Sequence, residues 1–163
     1  MTGHVYSYPA HDFELHDRIT AVIGAPVPLE KLHTTTLVNG AQDVPGRDQR
    51  TEAHRRFFAG IKTVLDDYRG LARFLVGLYL PEDQWLYQRV PCLRIQVPGG
   101  KAVAGEMHRD ADYGHPNGEI SIIVPMTDMI GSATLFTESE SELGDFQFVN
   151  IPYGHCFVFD ARN

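Results

Sequence analysis

The sequence predicts an α+β protein in which helices pack against an antiparallel β-sandwich or barrel. Apolar residues recur at helical spacing in the first half of the chain, whereas from Tyr87 onward the period changes to near two. The second half also contains a series of short apolar runs bounded by Gly, Pro, Asp or Asn. Helices followed by closely spaced strands indicate this fold class. We expect a single domain over residues 1–163, with residues 1–86 mainly helical.

Two helical regions are predicted. The first ends at Gly24, with Pro26 just beyond, a common arrangement at the end of a helix. The second starts near Asp48, whose side chain can cap it, and is interrupted at Gly70 before it stops ahead of Pro81. The apolar stripes are Leu15, Ile19, Val22 and Ile23, then Phe57, Ile61, Val64, Leu65 and Tyr68, and finally Leu71, Phe74, Leu75 and Leu78.

Between these helices, residues 25–47 are rich in Pro, Gly and Thr, which predicts a long loop with a short strand near Thr34–Val38. The predicted strands of the second half are VPCLRIQV, EISIIV, ATLF, FQFVNI and HCFVF. In the first of these, Leu93, Ile95 and Val97 point to one face, while Arg94 and Gln96 point to the other.

The composition is that of a soluble globular protein, with 43% apolar and 21% charged residues. The net charge of −7 argues against a nucleic-acid or anionic-membrane partner. The first residues lack the basic and apolar stretches of a signal peptide, and no apolar run has membrane-span length, so we expect a cytoplasmic protein without a signal peptide. Cys92 and Cys156 both fall in apolar runs and are expected to be reduced core residues. No pattern indicates an oligomeric state or a particular substrate.

The segment AGEMHRDADYGHPNGEISIIVPMTD (104–128) suggests a metal site. His108 and Asp110 stand two residues apart, so on an extended segment both point to the same side. An imidazole and a carboxylate suit Fe(II) or Mn(II), and two imidazoles with one carboxylate form a common oxygen-activating iron site. The surrounding polar residues fit a solvated loop equally well, and the residues alone leave both interpretations open.

Residues 87–163 resemble the Fe(II)/2-oxoglutarate-dependent oxygenases of the streptomycin-biosynthesis-protein type, which have a phytanoyl-CoA-dioxygenase-like fold. The resemblance lies in a series of ordered landmarks. These are His-x-Asp-x-x-Tyr at 108–113, Gly-Glu at 118–119, Pro-x-Thr-Asp at 125–128, Glu-Ser at 138–139, Gly-Asp-Phe at 144–146 and the closing Gly…Phe-Asp at 154–160.

The resemblance implies that residues 87–163 form a double-stranded β-helix (jelly roll), with the N-terminal helices packed against it. It implies that His108 and Asp110 bind iron, that 2-oxoglutarate and O₂ are co-substrates, and that a small polar metabolite is oxidised. Because relatives that halogenate carbon lack the carboxylate, Asp110 favours hydroxylation. In the family a distal histidine and a 2-oxoglutarate-binding arginine follow Phe-Asp. We therefore expect that the final strands are missing from this chain, which ends at Asn163.

Other residues are assigned provisional roles. Arg94 and Gln96 are predicted to bind the co-substrate, with a solvent-facing strand side as the alternative. Tyr113 and His115 are predicted to contact substrate at the entrance, with local loop packing as the alternative. Glu138 and Ser139 match a landmark without an evident role, and Thr127 and Asp128 are expected to cap a turn. No residue is assigned as a catalytic acid, base or nucleophile.

Two rival functions remain. One is a non-catalytic jelly-roll binding module that has lost its third ligand. The other is a cupin-like metal enzyme that uses His108, Asp110 and His155, although cupins usually offer His-x-His where this chain has His-x-Asp. A structural role for His155, on the strand face shared with Phe157 and Phe159, is the interpretation that we favour.

Overall fold

The protein has mixed α+β architecture with antiparallel sheets, as the sequence predicts. The computed structural model describes residues 3–39, 50–79, 85–99, 112, 114–116, 118–140 and 142–160. The chain forms two compact units, which we name by content. The helical unit is His11–Gly105, and the strand unit is Met1–Ala10 together with Glu106–Asn163. The jelly roll stays a prediction.

The described residues of the helical unit form three α-helices: α1 is Leu15–Ile23, α2 is Glu52–Ala59 and α3 is Leu65–Tyr79. Short 3₁₀ helices occur at Leu29–Thr34, Thr36–Val38 and Ile61–Thr63. Another, Ala10–Asp12, begins at the last residue of the Met1–Ala10 segment of the strand unit. The apolar stripes of the α-helices face inward, with the exception of Leu78, which is 55% exposed. The buried apolar residues of this unit are Leu15, Ile19, Ile23, Leu32, Leu37, Val38, Ala53, Phe57, Val64, Leu71 and Leu75.

The predicted end of α1 is confirmed. Gly24 has a left-handed conformation (φ 64°), and its N–H donates to the carbonyl of Ala21. The N–H of Ala25 donates to the carbonyl of Thr20, which completes the paired bonds of a Schellman motif. The signal was readable because everything it needs lies within six residues of sequence.

The predicted strand near Thr34–Val38 is wrong, because 3₁₀ helices occupy this region. The hydroxyls of Thr34 and Thr35 donate to the carbonyls three residues earlier, Lys31 and Leu32, at 2.8 and 2.7 Å. The Thr35 hydroxyl also accepts the N–H of Leu37. Local bonds of this kind compete with a strand ladder, even in a β-branched sequence.

The predicted interruption of the second helix at Gly70 is also wrong. Helix α2 ends before Gly60, and α3 continues through Gly70. A Cβ at Gly60 would lie 2.7 Å from Cγ1 of Val22, so close packing against α1 requires glycine there. Gly70 has no neighbour within 4 Å of a Cβ position, so the helix simply tolerates it. The second helix begins at Glu52 after Thr51, and the predicted cap Asp48 lies outside the described residues.

Residues 91–97 show the predicted alternation without forming a strand in the described part of the chain. Leu93, Ile95 and Val97 are half-buried, whereas the residues between them are exposed. Cys92 therefore lies on the outer side of this segment, and its expected core position is wrong. Cys156 is fully buried, as expected.

Five strands occur in the described part of the strand unit: β1 is His4–Ser7, β2 is Ile120–Ile123, β3 is Leu135–Thr137, β4 is Gln147–Val149 and β5 is His155–Asp160. One antiparallel sheet has the order β1-β5-β2, and β3 and β4 form an antiparallel hairpin. The positions of β2 to β5 confirm four predicted runs. Strand β1 was not predicted, because HVYS is short and its partner β5 lies about 150 residues away in sequence.

Strand β5 is the centre of the three-stranded sheet and supplies most of the core of this unit. Cys156, Phe157 and Val158 are no more than 3% exposed, and Tyr8 and Ile151 are also buried. An isolated bridge between Met129 and Ile151 extends the antiparallel pairing beyond the named strands. Among the described residues, no helix combines the length and apolar character needed to cross a bilayer.

Candidate functional site

The predicted iron ligands His108 and Asp110 lie outside the described residues, as does the predicted substrate residue Tyr113. The residues that follow them in the sequence are described at 114–116 and from Gly118 to residue 140. This chain belongs to the strand unit and leads directly into β2.

A tight turn at residues 116–119 comes directly before β2. The N–H of Glu119 donates to the carbonyl of Pro116 at 3.2 Å. Gly118 occupies the third position of this turn with φ 83°, the conformation that a type II turn requires there. The turn thus fixes the direction in which the chain enters Ile120.

The same five residues hold a side-chain pair that the sequence did not predict. Nδ1 of His115 lies 2.8 Å from Oε1 of Glu119, and the two side chains are 37% and 30% exposed. A carboxylate can only accept from this nitrogen, so the pair assigns the proton to Nδ1. The signal available in the sequence was the four-residue spacing across a Pro-x-Gly turn, which brings the two side chains to the same side.

The register of the sheet places the entry to β2 beside the exit of β5. Ile120 is paired with Asp160, and Ile123 is paired with Phe157. The start of β2 and the end of β5 therefore lie side by side at the same end of the sheet. Asp160, 5% exposed, is a buried carboxyl group at this end.

His155 lies at the other end of β5, where it is paired with Ser7 of β1. The five-residue rise along β5 separates it from Asp160 by about 17 Å. The ring is half-buried, and its Nδ1 has no hydrogen-bond partner among the residues that the structure describes. The sheet therefore does not place His155 beside the start of β2.

Two buried groups near His155, Tyr8 and Cys156, have raised pKa values. Burial is the main cause that raises the pKa of Tyr8 to about 12, and Tyr153 and Cys156 add smaller effects. Burial likewise raises the pKa of the Cys156 thiol to about 11. A thiol with so high a pKa is a poor nucleophile at neutral pH, so this cluster is structural.

Asp128 and Glu138 match landmarks of the resemblance, and the carboxylates of both accept hydrogen bonds from backbone N–H groups. Oδ1 of Asp128 accepts the N–H of Tyr153 at 2.8 Å, so it anchors a distant turn rather than capping its own. The two carboxylate oxygens of Glu138 accept the N–H groups of Glu142 and Gly144, each at 2.7 Å. These bonds shape the loop between β3 and β4.

Ser139 and the hairpin aromatic residues complete this region. The hydroxyl and N–H of Ser139 both donate to Asp145, and these bonds lower the pKa of the Asp145 carboxyl. Phe136 is paired with Phe148 across the hairpin, with ring centroids 4.9 Å apart. Both rings are exposed.

Arg94 and Gln96, the predicted co-substrate residues, belong to the helical unit. Both are exposed, on the outer side of the 91–97 segment. Their exposure agrees with the solvent-facing interpretation, and their binding of co-substrate remains a prediction. Within the described ranges, no group of three or more His, Cys, Asp or Glu side chains has a geometry that could hold a metal ion.

The described residues form an α+β protein. Strand β2, which follows His108 and Asp110 in the sequence, pairs with the central strand β5 of an antiparallel sheet. The chain is similar to the streptomycin biosynthesis protein StrG of Streptomyces griseus, with 35% identity over 116 residues. The match covers 71% of this chain and 53% of the relative, so the chain spans about half the length of the curated relative that it matches. No protein-family model and no solved structure matches.

Proposed function

We propose that this protein is an Fe(II)- and 2-oxoglutarate-dependent oxygenase that hydroxylates or otherwise oxidises a small polar metabolite. The observation that carries the proposal is the pairing of Ile120 with Asp160. This pairing sets the start of β2, which follows His108 and Asp110 in the sequence, beside the end of β5. In the family that the sequence resembles, a third metal ligand follows the position of Asp160. Such a ligand would lie close in sequence to this end of the sheet.

The donor chemistry of the motif fits the metal. One imidazole and one carboxylate leave room on a ferrous ion for a third protein ligand and for a chelating co-substrate. His108 and Asp110 are the residues that would hold the ion. When bound, iron with 2-oxoglutarate and O₂ supplies the oxidising power that the side chains of the protein lack.

The remaining task of the protein is to bind and orient the reactants and to exclude water. We assign substrate contact to Tyr113 and His115 and co-substrate binding to Arg94 and Gln96, whose guanidinium and amide groups are suited to a carboxylate. The similarity to a protein named for streptomycin biosynthesis supports a role in a biosynthetic pathway. It supports a small metabolite as substrate.

The test is an anaerobic titration of the complete gene product with Fe(II) and 2-oxoglutarate, followed by the weak visible charge-transfer band of the ternary complex. We expect the band in the wild type and its loss in Asp110→Ala and His108→Ala. His33→Ala is the matched control, because His33 is an exposed histidine of the helical unit. No band in a folded wild-type sample, or an undiminished band in Asp110→Ala, would contradict the proposal.

A cupin-like enzyme that uses His155 is the second candidate, and the observation in its favour is that Nδ1 of that ring has no hydrogen-bond partner among the described residues. The position of His155 at the opposite end of β5 from Asp160 counts against it. The two candidates differ in one variant. His155→Ala abolishes metal binding if His155 is a ligand and leaves it intact if the third ligand follows β5.

A further inference from the structure

The hairpin formed by β3 and β4 carries its aromatic side chains on its exposed face. Phe136 and Phe148 lie directly opposite each other on the two strands and are 45% and 72% exposed. Phe146 stacks on Phe136, with ring centroids 5.4 Å apart and ring planes inclined by 23°. The other face of the hairpin carries Leu135 and Val149, which are half-buried.

This arrangement differs from the usual antiparallel pair, in which the solvated face is polar. Here the largest apolar side chains of the hairpin are on the solvated side. Contiguous exposed apolar groups mark the surfaces by which proteins contact other molecules. We therefore treat the rings of Phe136, Phe146 and Phe148, which we name the aromatic face, as a contact surface.

The charge of the chain is concentrated on the unit that carries the aromatic face. By sequence, the strand unit contains ten Asp or Glu and two Lys or Arg, whereas the helical unit contains eleven and twelve. The strand unit thus has a net charge of −8 and the helical unit of +1, which together give the −7 of the chain. Residues 110–161 contain neither Lys nor Arg. A surface of this composition attracts positively charged partners.

Two of the carboxylates flank the aromatic face at the loop between the strands. Glu138 is two residues after Phe136, and Asp145 directly precedes Phe146. Both carboxylates accept hydrogen bonds from backbone N–H groups of the loop, which hold them in place. The hydroxyl and the N–H of Ser139 lower the pKa of the Asp145 carboxyl, so that it is ionised at neutral pH.

We propose that the aromatic face is a docking surface for an arginine-bearing surface of a partner protein. A guanidinium group stacks on aromatic rings and pairs with carboxylates, so arginine matches both features. Small-molecule sites enclose most of their ligand, whereas these rings lie open to solvent, which favours a macromolecule. A twofold contact between two copies would place the same acidic surface against itself, which disfavours self-association. The inference does not depend on the proposed function.

The first test measures, by fluorescence anisotropy, the binding of a fluorescein-labelled peptide of four Arg-Gly repeats to the complete protein. We expect saturable binding that weakens as salt is added. Phe148→Ala should weaken it about 2- to 5-fold, the contribution of one exposed contact between a cation and a ring. Phe58→Ala is the matched control, because Phe58 is 46% exposed on α2 of the helical unit, and it should bind as the wild type does.

A second peptide, of four Lys-Gly repeats, separates charge from stacking. It carries the same charge, but an ammonium group lacks the planar surface of guanidinium, so it should bind less tightly than the arginine peptide. In Phe148→Ala the difference between the two peptides should shrink, because the ring on which guanidinium stacks has been removed.

Hydroxyl-radical footprinting of the complete wild-type protein requires no variant to fold. Phe136 and Phe148 should be oxidised in the free protein and protected when the arginine peptide is bound. Oxidation of Phe58 should be the same in both samples.

Three results would overturn the proposal. The first is the absence of saturable binding of the arginine peptide, or binding that Phe148→Ala and Phe58→Ala weaken equally. The second is equal affinity for the arginine and lysine peptides, which would remove the case for guanidinium. The third is protection of Phe136 and Phe148 in the complete protein alone, which would show that the chain itself or a second copy covers the aromatic face.

Discussion

The carboxylate of Asp128 accepts the backbone N–H of Tyr153 at 2.8 Å and so joins two turns that lie 25 residues apart in sequence. Directly beside this bond, Met129 and Ile151 exchange backbone hydrogen bonds of 3.0 and 2.9 Å. Asp128 thus extends a short antiparallel pairing by one further bond, supplied by a side chain.

Replacing Asp128 by alanine should lower the free energy of unfolding by about 1–2 kcal/mol, because it removes a charge-assisted hydrogen bond to backbone. Asp128→Asn retains an acceptor oxygen and should lose less. Urea denaturation measures both. Asp12→Ala is the control, because Asp12 forms an exposed ion pair with the neighbouring His11. Equal losses in Asp128→Ala and Asp12→Ala would show that the bond to Tyr153 does not stabilise the fold.

Glu138 should be needed for the shape of the loop between β3 and β4. Its two oxygens each hold one backbone N–H, and this helps to keep Glu142 at φ 69°, a conformation that costs a non-glycine residue about 1 kcal/mol or more. Glu138→Ala should therefore speed amide hydrogen exchange at Glu142 and Gly144. Glu140→Ala changes an exposed acidic residue of the same loop and should leave both rates unchanged; comparable acceleration in the two variants would refute the assignment.

The two cysteines should differ in reactivity towards a thiol reagent such as Ellman's reagent. Cys92 is exposed and should react in the native protein, whereas Cys156 is fully buried and should react only after unfolding. We expect one rapidly labelled thiol under native conditions and two in denaturant. Cys92→Ser should abolish the rapid phase, and a rapid phase that survives this substitution would place Cys156 at the surface.

Stability should decline at alkaline pH. The pKa of the Cys156 thiol is raised from 9.0 to about 11 by burial, so the unfolded chain releases this proton first as pH rises. The stabilisation is complete below pH 9 and is lost as pH rises towards about 11; it amounts to a free energy of the order of 2 kcal/mol. Tyr8, with a pKa of about 12, extends the decline upward.

Urea denaturation at several pH values between 8 and 11 measures this dependence. Cys156→Ala leaves a small cavity and is less stable throughout, so the comparison is between slopes and not between absolute values. The variant should lose stability less steeply with pH than the wild type. An identical slope would show that the thiol does not contribute to the pH dependence.

Features that depend on neighbouring residues could be predicted from the sequence. The end of α1 at Gly24 and the runs that form β2 to β5 are set by local glycine, proline and β-branched patterns. Features that depend on distant contacts could not be predicted in this way. The break at Gly60 follows from its approach to Val22, and β1 exists because β5 pairs with it.

In the candidate site, too, features set by local sequence could be predicted, and features set by contacts between side chains and backbone could not. The ligand motif His108-x-Asp110 was found from two residue types and their spacing, and it remains a prediction. The bond between His115 and Glu119 depends on a turn that brings their side chains together, and the roles of Asp128 and Glu138 depend on which backbone N–H groups they reach. Single-residue patterns do not encode such pairings.

The central position of β5 also determines when the three-stranded sheet can assemble during synthesis. Val5 of β1 pairs with Phe157, so β1 leaves the ribosome long before its partner has been translated. At about 5–20 residues per second, the interval is about 8–30 s. During this time β1 cannot yet pair with β5, so the β1-β5-β2 sheet can form only after β5 has been translated.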